Sequence, residues 1–144
     1  MTIRTATAEW KGGIHEGRGH LKTGSGAFEG AYSFNSRFGD GGGANPEELL
    51  GAAHAGCFSM ALAVELTNAG FKPADIRTTA HVHFDRVDGK PTVTEIALVT
   101  GADVPGIDNA TFQKIAEGAK TNCPISRALT GGSAKITLDA TLKS

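Results

Sequence analysis

The segment from Asn45 to Gly70, NPEELLGAAHAGCFSMALAVELTNAG, constrains the fold of this chain more than any other. Asn45 is a favoured N-cap residue, Pro46 fits the first helical position, and Glu48 occupies the capping-box position. Gly70 is a typical residue at which a helix ends. The segment therefore predicts one helix of about 25 residues, roughly 37 Å long and apolar on most sides.

The predicted length and apolar character of this helix favour a second subunit. A compact chain of 144 residues is hardly wider than the helix is long. One chain therefore covers such a helix poorly, and a partner subunit is the simplest way to bury the remaining apolar surface. We expect one domain spanning residues 1–144 and a homodimer.

The rest of the chain predicts an α+β fold with mainly antiparallel strands in the order βββ-α-ββ-α-α-β. In residues 75–87 apolar and polar side chains alternate, which is typical of a strand with one buried face. We expect strands at 2–10, 14–22, 31–38, 75–87, 92–104 and 134–143, and helices at 45–70, 106–120 and 123–129.

Charge and composition narrow the function classes. The net charge is −1, with no basic tail, so neither nucleic acid nor an anionic membrane is indicated as a partner. The first residues do not match a signal peptide, and no apolar run is expected to span a bilayer. We expect a cytoplasmic protein, in which the two cysteines have a transient chemical role.

Cys57 and Cys123 are the two cysteines. Taken alone, Cys57 in the middle of the long helix reads as a small core side chain. Cys123 precedes Pro124 at a predicted helix start, where the helix dipole favours a thiolate. Two single cysteines also suit a pair in which one sulfur attacks a peroxide and the other forms a disulfide with it. Local electrostatics alone make Cys123 the attacking thiol, because burial raises the pKa of Cys57.

A buried thiolate needs a cation nearby, and two arginines are candidates. Arg37 precedes a glycine-rich loop, and Arg18 lies in the N-terminal region. His54 lies one helical turn before Cys57, where it would form either a Cys–His pair or a hydrogen-bonded core histidine.

Other polar groups indicate no cofactor. Glu47 in the first helical turn complements the helix dipole, and the nearby glycine-rich loop lacks the lysine of a phosphate-binding loop. His81, His83 and Asp85 share one strand face, but this is an incomplete metal motif. No motif for haem or flavin is present, so we expect neither metal nor bound cofactor.

Several motifs together closely resemble the OsmC branch of the OsmC/Ohr family of thiol-dependent hydroperoxide reductases. They are NPEELLGAAHAGCFSMAL, NCPIS and ITLDATLKS, supported by FNSRF and VPGID. The resemblance covers essentially the whole chain. It implies an OsmC-like fold, in which antiparallel β-sheets wrap around long central helices in an intertwined homodimer.

The resemblance also implies roles for four residues. Cys57, not Cys123, is then the peroxidatic cysteine, and Cys123 resolves its sulfenic acid to a disulfide. Arg37 and Glu47 would organise the Cys57 thiolate. The Ohr branch takes its arginine from the N-terminal region, which leaves Arg18 as the alternative.

The expected activity is reduction of organic hydroperoxides to alcohols, and of hydrogen peroxide less well, in oxidative or osmotic stress defence. An external dithiol, such as a lipoyl group, is the implied reductant. A binding protein for apolar ligands and a thiol redox sensor remain alternatives.

Glu47 and Cys57 are separated by roughly 15 Å along one predicted helix, which a glutamate side chain does not bridge. The resemblance nevertheless places this glutamate beside the arginine that serves the thiolate. We therefore expect Glu47 to act on Cys57 of the partner subunit.

Overall fold

The structure is a computed structural model that describes residues 1–143. Within that range the elements follow the order β1 (Ala6–Lys11), β2 (Arg18–Thr23), β3 (Glu29–Tyr32), α1 (Phe34–Phe38), α2 (Pro46–Asn68), β4 (Asp75–Val87), β5 (Lys90–Asp103), α3 (Asn109–Asn122), α4 (Pro124–Leu129) and β6 (Lys135–Leu142). The predicted α+β class is confirmed. The chain divides into two compact units, Met1–Leu49 and the part that begins at Leu50. The single domain over residues 1–144 stays a prediction.

The first unit contains an antiparallel sheet in the order β1-β2-β3. Gly19 of β2 is paired with Trp10 on one side and with Tyr32 on the other. The Tyr32 ring lies where a side chain at Gly19 would have its Cβ, so this position needs glycine. The Trp10 and Tyr32 rings pack 5.5 Å apart on the same face.

The prediction of a strand over residues 31–38 is wrong in its second half, because α1 begins at Phe34. Ser33 and Ser36 form a capping box. The Ser33 side chain accepts a hydrogen bond from the Ser36 backbone N–H, and the Ser36 side chain accepts one from the Ser33 backbone N–H. These local bonds satisfy backbone donors that a strand would pair with a neighbour, so they favour a helical turn.

The second unit contains a sheet in the order β4-β5-β6. Strands β4 and β5 are antiparallel, and the alternation predicted for β4 is confirmed. Strand β6 runs parallel to β5, because α3 and α4 carry the chain back across the sheet. The core of this unit is formed by apolar side chains of α2, β5 and α3, chiefly Phe58, Leu62, Leu66, Ile96, Leu98, Phe112, Ala116 and Ala119.

Helix α2 is one continuous helix, as predicted. The Asn45 side chain accepts a hydrogen bond from the Glu48 backbone N–H, which caps its start. The expectation that one chain covers this apolar helix poorly agrees with its exposure. One face is buried, whereas Met60 and Val64 on another face are 73% and 52% exposed. The helix therefore presents apolar surface that this chain does not cover.

The expectation that no segment has the length and composition to span a membrane is also wrong. Helix α2 meets both criteria. The core helix of a water-soluble protein passes the same test, however, and the buried face of α2 carries Phe58, Leu62 and Leu66 of the core. Its composition is accordingly weak evidence for a membrane.

Candidate active site

The two cysteine sulfurs lie in contact in the second unit. Cys123 Sγ is 2.8 Å from Cys57 Sγ, and both residues are free cysteines. The side chains come from α2 and from the junction of α3 and α4. Two thiols at this separation need only a small movement to form a disulfide.

The expectation that Cys57 is buried as a core side chain is not met in this chain. Cys123 is fully buried, whereas Cys57 is partly exposed. Within this chain Cys57 is thus the less buried of the two cysteines.

Cys123 joins two helices. Its backbone N–H donates to the Ala119 carbonyl at the end of α3, and its own carbonyl accepts from the Arg127 N–H of α4. Pro124 occupies the first position of α4, where its missing N–H is not needed. The predicted placement of Cys123 at a helix start is confirmed.

The surroundings of Cys57 favour the neutral thiol. Burial raises the pKa of Cys57, and the contact with the Cys123 sulfur raises this pKa further. A hydrogen bond from the Ile125 backbone N–H acts in the opposite direction but does not outweigh them. The attacking thiolate would therefore require an additional positive charge.

Arg37 and Glu47, the two residues that the resemblance pairs, meet in the first unit. Arg37 Nε lies 3.1 and 3.3 Å from the two Glu47 carboxylate oxygens, and Nη2 lies 2.8 Å from Oε1. The Glu47 side chain is 12% exposed and that of Arg37 is 38% exposed. Arg18, the alternative, is an exposed residue at the start of β2.

His54 bonds to a residue that sequence reasoning missed. It is fully buried, and its Nε2 lies 2.7 Å from Oγ of Ser126 in α4. The expectation of a hydrogen-bonded core histidine is thus confirmed for one ring nitrogen, whereas Nδ1 has no partner among residues 1–143. Burial lowers the pKa of His54. The one available signal for Ser126 was its position three residues after Cys123, which matches the spacing of His54 and Cys57.

The strand face with His81, His83 and Asp85 does not form a metal centre. Across residues 1–143, no group of three or more His, Cys, Asp or Glu side chains has an arrangement that could hold a metal ion. His83 instead lies 3.9 Å from Glu95 of β5.

Comparison with known proteins supports the resemblance. The family model described as OsmC-like protein matches residues 39–139. The chain is 50% identical to the peroxiredoxin OsmC of Escherichia coli K12 over 146 aligned positions that cover 100% of both chains. It is 32% identical to an organic hydroperoxide resistance protein of Xanthomonas axonopodis pv. citri, with 68% of this chain and 67% of the relative covered.

Solved structures agree with these sequence comparisons. An organic hydroperoxide resistance protein from Elizabethkingia anophelis superposes with a TM-score of 0.74 at 27% identity, with 99% of each chain covered. A Legionella pneumophila protein described as an organic hydroperoxide resistance protein OsmC superposes with a TM-score of 0.73 at 23% identity and shows the same fold. The predicted OsmC-like fold is thereby confirmed, and the chain belongs to the OsmC-like protein family.

Proposed function

We propose that this chain is a cysteine-based peroxidase that reduces organic hydroperoxides to alcohols, and hydrogen peroxide less well, as a defence against oxidative or osmotic stress. The observation that carries the proposal is the 2.8 Å contact between Cys57 Sγ and Cys123 Sγ. The full-length similarity to a peroxiredoxin and the match to organic hydroperoxide resistance proteins support this substrate class.

Cys57 is the attacking residue in this proposal, as the resemblance implies. Its partial exposure within this chain, against the full burial of Cys123, supports this role. The Cys57 thiolate attacks the terminal oxygen of the hydroperoxide and the O–O bond breaks. The sulfur becomes a sulfenic acid, and the alkoxide takes up a proton and leaves as the alcohol. Cys123 then attacks the Cys57 sulfur, and a disulfide forms with loss of water.

Arg37 supplies the positive charge that the Cys57 thiolate requires, and Glu47 holds the guanidinium in position. Support comes from the contacts of both Arg37 nitrogens with the Glu47 carboxylate, a geometry that fixes the plane of the guanidinium. An arginine beside a thiolate favours the charged form, which opposes the effect of burial on the Cys57 pKa.

The active form in this proposal is an intertwined homodimer, in which Glu47 acts on Cys57 of the partner subunit. The exposed Met60 and Val64 of α2 support a second subunit, because a soluble protein rarely leaves such apolar helix surface uncovered. Helix α2 is unbroken between Glu47 and Cys57, so the two side chains are not brought together by a local bend.

An external dithiol, such as a lipoyl group, would reduce the disulfide and complete the cycle without a bound cofactor. Two thiols of one molecule reduce the Cys57–Cys123 disulfide and form their own disulfide, so electrons balance. We place the reaction in the cytoplasm, where reduced dithiols are maintained, with neither nucleic acid nor membrane as a partner.

The test is consumption of cumene hydroperoxide and hydrogen peroxide with dihydrolipoamide as reductant. We expect turnover with both substrates, faster with cumene hydroperoxide. Peptide mapping after one equivalent of hydroperoxide should show a Cys57–Cys123 disulfide within one chain. Binding of apolar ligands without peroxide consumption would instead favour a ligand-binding role, and crosslinks exclusively between chains would contradict the proposed cycle.

A further inference from the structure

Two side-chain contacts join α2 to the start of α4 in the second unit. One is Cys57 with Cys123, and the other is His54 with Ser126. His54 lies three residues before Cys57, and Ser126 lies three residues after Cys123. The two contacts are therefore neighbours between two segments that run in opposite directions. The cysteine contact is the reactive one, and the His54–Ser126 contact is a buried hydrogen bond.

Helix α4 depends on such contacts for its position. It has only six residues, and a helix this short is not stable by itself. Ser126 is its buried residue, whereas Leu129 packs on the core while remaining partly exposed. The polar contacts of the start of α4 with α2 are thus the His54–Ser126 bond and the hydrogen bond from the Ile125 backbone N–H to Cys57.

Both ring nitrogens of His54 are buried, and one of them has a partner. Nε2 lies 2.7 Å from Ser126 Oγ, with the donor set by the histidine tautomer, and Nδ1 has no partner among residues 1–143. Both partners are almost completely buried, with His54 at 0% and Ser126 at 2% exposure, so water does not compete for the bond.

We propose that the His54–Ser126 hydrogen bond positions Cys123 for its attack on the oxidised Cys57, which makes His54 and Ser126 positioning residues for disulfide formation. This inference rests on the proposed peroxidase function. Once Cys57 carries a sulfenic oxygen, its original thiol contact with Cys123 is lost. The neighbouring His54–Ser126 hydrogen bond then keeps the start of α4 in place.

The step that depends on this placement is balanced without a further reactant. The Cys123 sulfur attacks the Cys57 sulfur, and an S–S bond forms as the S–O bond breaks. The leaving hydroxide takes the proton lost by the Cys123 thiol and departs as water. Because the attack requires alignment of three atoms, a small shift of Cys123 slows it strongly.

The experiment separates the two chemical steps by rapid quenching after one equivalent of cumene hydroperoxide. Sulfenic acid is trapped with dimedone, and the disulfide is measured by peptide mapping. In Ser126→Ala we expect sulfenic acid formation near the wild-type rate and disulfide formation slower by about tenfold or more. Ser126→Thr keeps the hydroxyl and should restore the second step.

Variants of His54 provide the matching pair. His54→Gln keeps a hydrogen-bonding group near the position of Nε2 and should retain most of the rate of disulfide formation. His54→Leu has no such group and should form the disulfide as slowly as Ser126→Ala. Leu62→Ala, a core truncation on the same helix, controls for lost stability and should leave the ratio of the two rates unchanged. Equal slowing of both steps in Ser126→Ala, or a wild-type rate of disulfide formation, would overturn the inference.

A second measurement does not depend on peroxide. The equilibrium of Cys57 and Cys123 with glutathione reports the effective concentration of one thiol at the other. This effective concentration should fall by about tenfold in Ser126→Ala and recover in Ser126→Thr. If wild type forms no sulfenic acid, the proposed function fails, and this equilibrium still decides the role of the hydrogen bond: no change in Ser126→Ala would refute it.

Discussion

Two nitrogens of Arg37 donate hydrogen bonds of 2.8–3.3 Å to the Glu47 carboxylate, and the glutamate is the more buried residue of the pair. The two residues are ten positions apart and belong to the same unit. Glu47 therefore has its charge matched by the guanidinium, and its effect on a thiolate would be exerted through the orientation of Arg37. This relationship separates the expected effects of changing either residue.

Arg37→Ala should raise the pKa of the Cys57 thiol further, because burial already favours the neutral form and the cation would be removed. The thiolate fraction at neutral pH should fall, and the attack on hydroperoxide should slow by about tenfold for each unit of pKa increase. The rate of Cys57 alkylation as a function of pH, measured in a Cys123→Ser background, reports the shift.

Arg18→Ala is the matched control for that experiment and should leave the alkylation profile unchanged. A shifted profile in Arg18→Ala with an unchanged one in Arg37→Ala would assign the cation to Arg18. Glu47→Gln keeps the hydrogen-bonding shape of the side chain and should have a smaller effect than Arg37→Ala.

Substitution of the two cysteines should affect different steps of peroxide reduction. Cys57→Ser should abolish peroxide reduction, because the accessible sulfur is gone. Cys123→Ser should retain one round of oxidation. The sulfenic acid at Cys57 then persists, because no resolving thiol converts it to a disulfide, and dimedone labels it. Mass spectrometry of the labelled peptides distinguishes the two. Peroxide reactivity that survives in Cys57→Ser but disappears in Cys123→Ser would reverse the roles.

The burial order of these sulfurs is a feature that sequence reasoning missed. The composition of α2 predicts an apolar helix, but it does not show which face meets the core, because apolar residues occur around most of its circumference. The middle of α2 therefore predicts a buried Cys57. The predicted helix start at Cys123 carries no information on depth, and Cys123 is fully buried.

The range over which a sequence pattern acts explains which other structural elements could be predicted. The N-cap at Asn45 and the alternation in β4 are short-range patterns, and both were predicted correctly. The capping box of Ser33 and Ser36 is equally local. Its second position holds Ser36 instead of the usual Glu or Gln, so the sequence predicts a strand where the structure has a helical turn. The contact of His54 with Ser126 joins residues 72 positions apart and leaves no periodic pattern to detect.

His54 should make stability depend on pH. Its pKa is lowered in the folded state by burial, so the unfolded chain binds more protons as pH falls through the ordinary histidine value of about 6.5. The contribution is fully present above that value and is lost below it, with a slope of at most about 1.4 kcal/mol per pH unit. Urea unfolding of wild type and His54→Gln between neutral and mildly acidic pH measures it, and identical slopes in both proteins would contradict the expectation.

The trans arrangement can be tested by complementation between inactive subunits. If Glu47 acts on Cys57 of the partner, a mixed dimer of Cys57→Ser and Glu47→Ala chains has one site with both defects and one intact site. Activity should therefore recover toward half per mixed dimer. Verified subunit exchange without recovered activity would show that Glu47 serves the cysteine of its own chain.

The ion pair between Arg37 and Glu47 sharpens this experiment. Because the pair forms within one unit, both residues should reach a given Cys57 from the same chain. Mixing Cys57→Ser with Arg37→Ala should then restore activity as the first mixture does. Mixing Arg37→Ala with Glu47→Ala should restore none, since each site of that dimer keeps one defect. Recovery in this last mixture would mean that the two residues serve a site from different subunits, which their bonded geometry opposes.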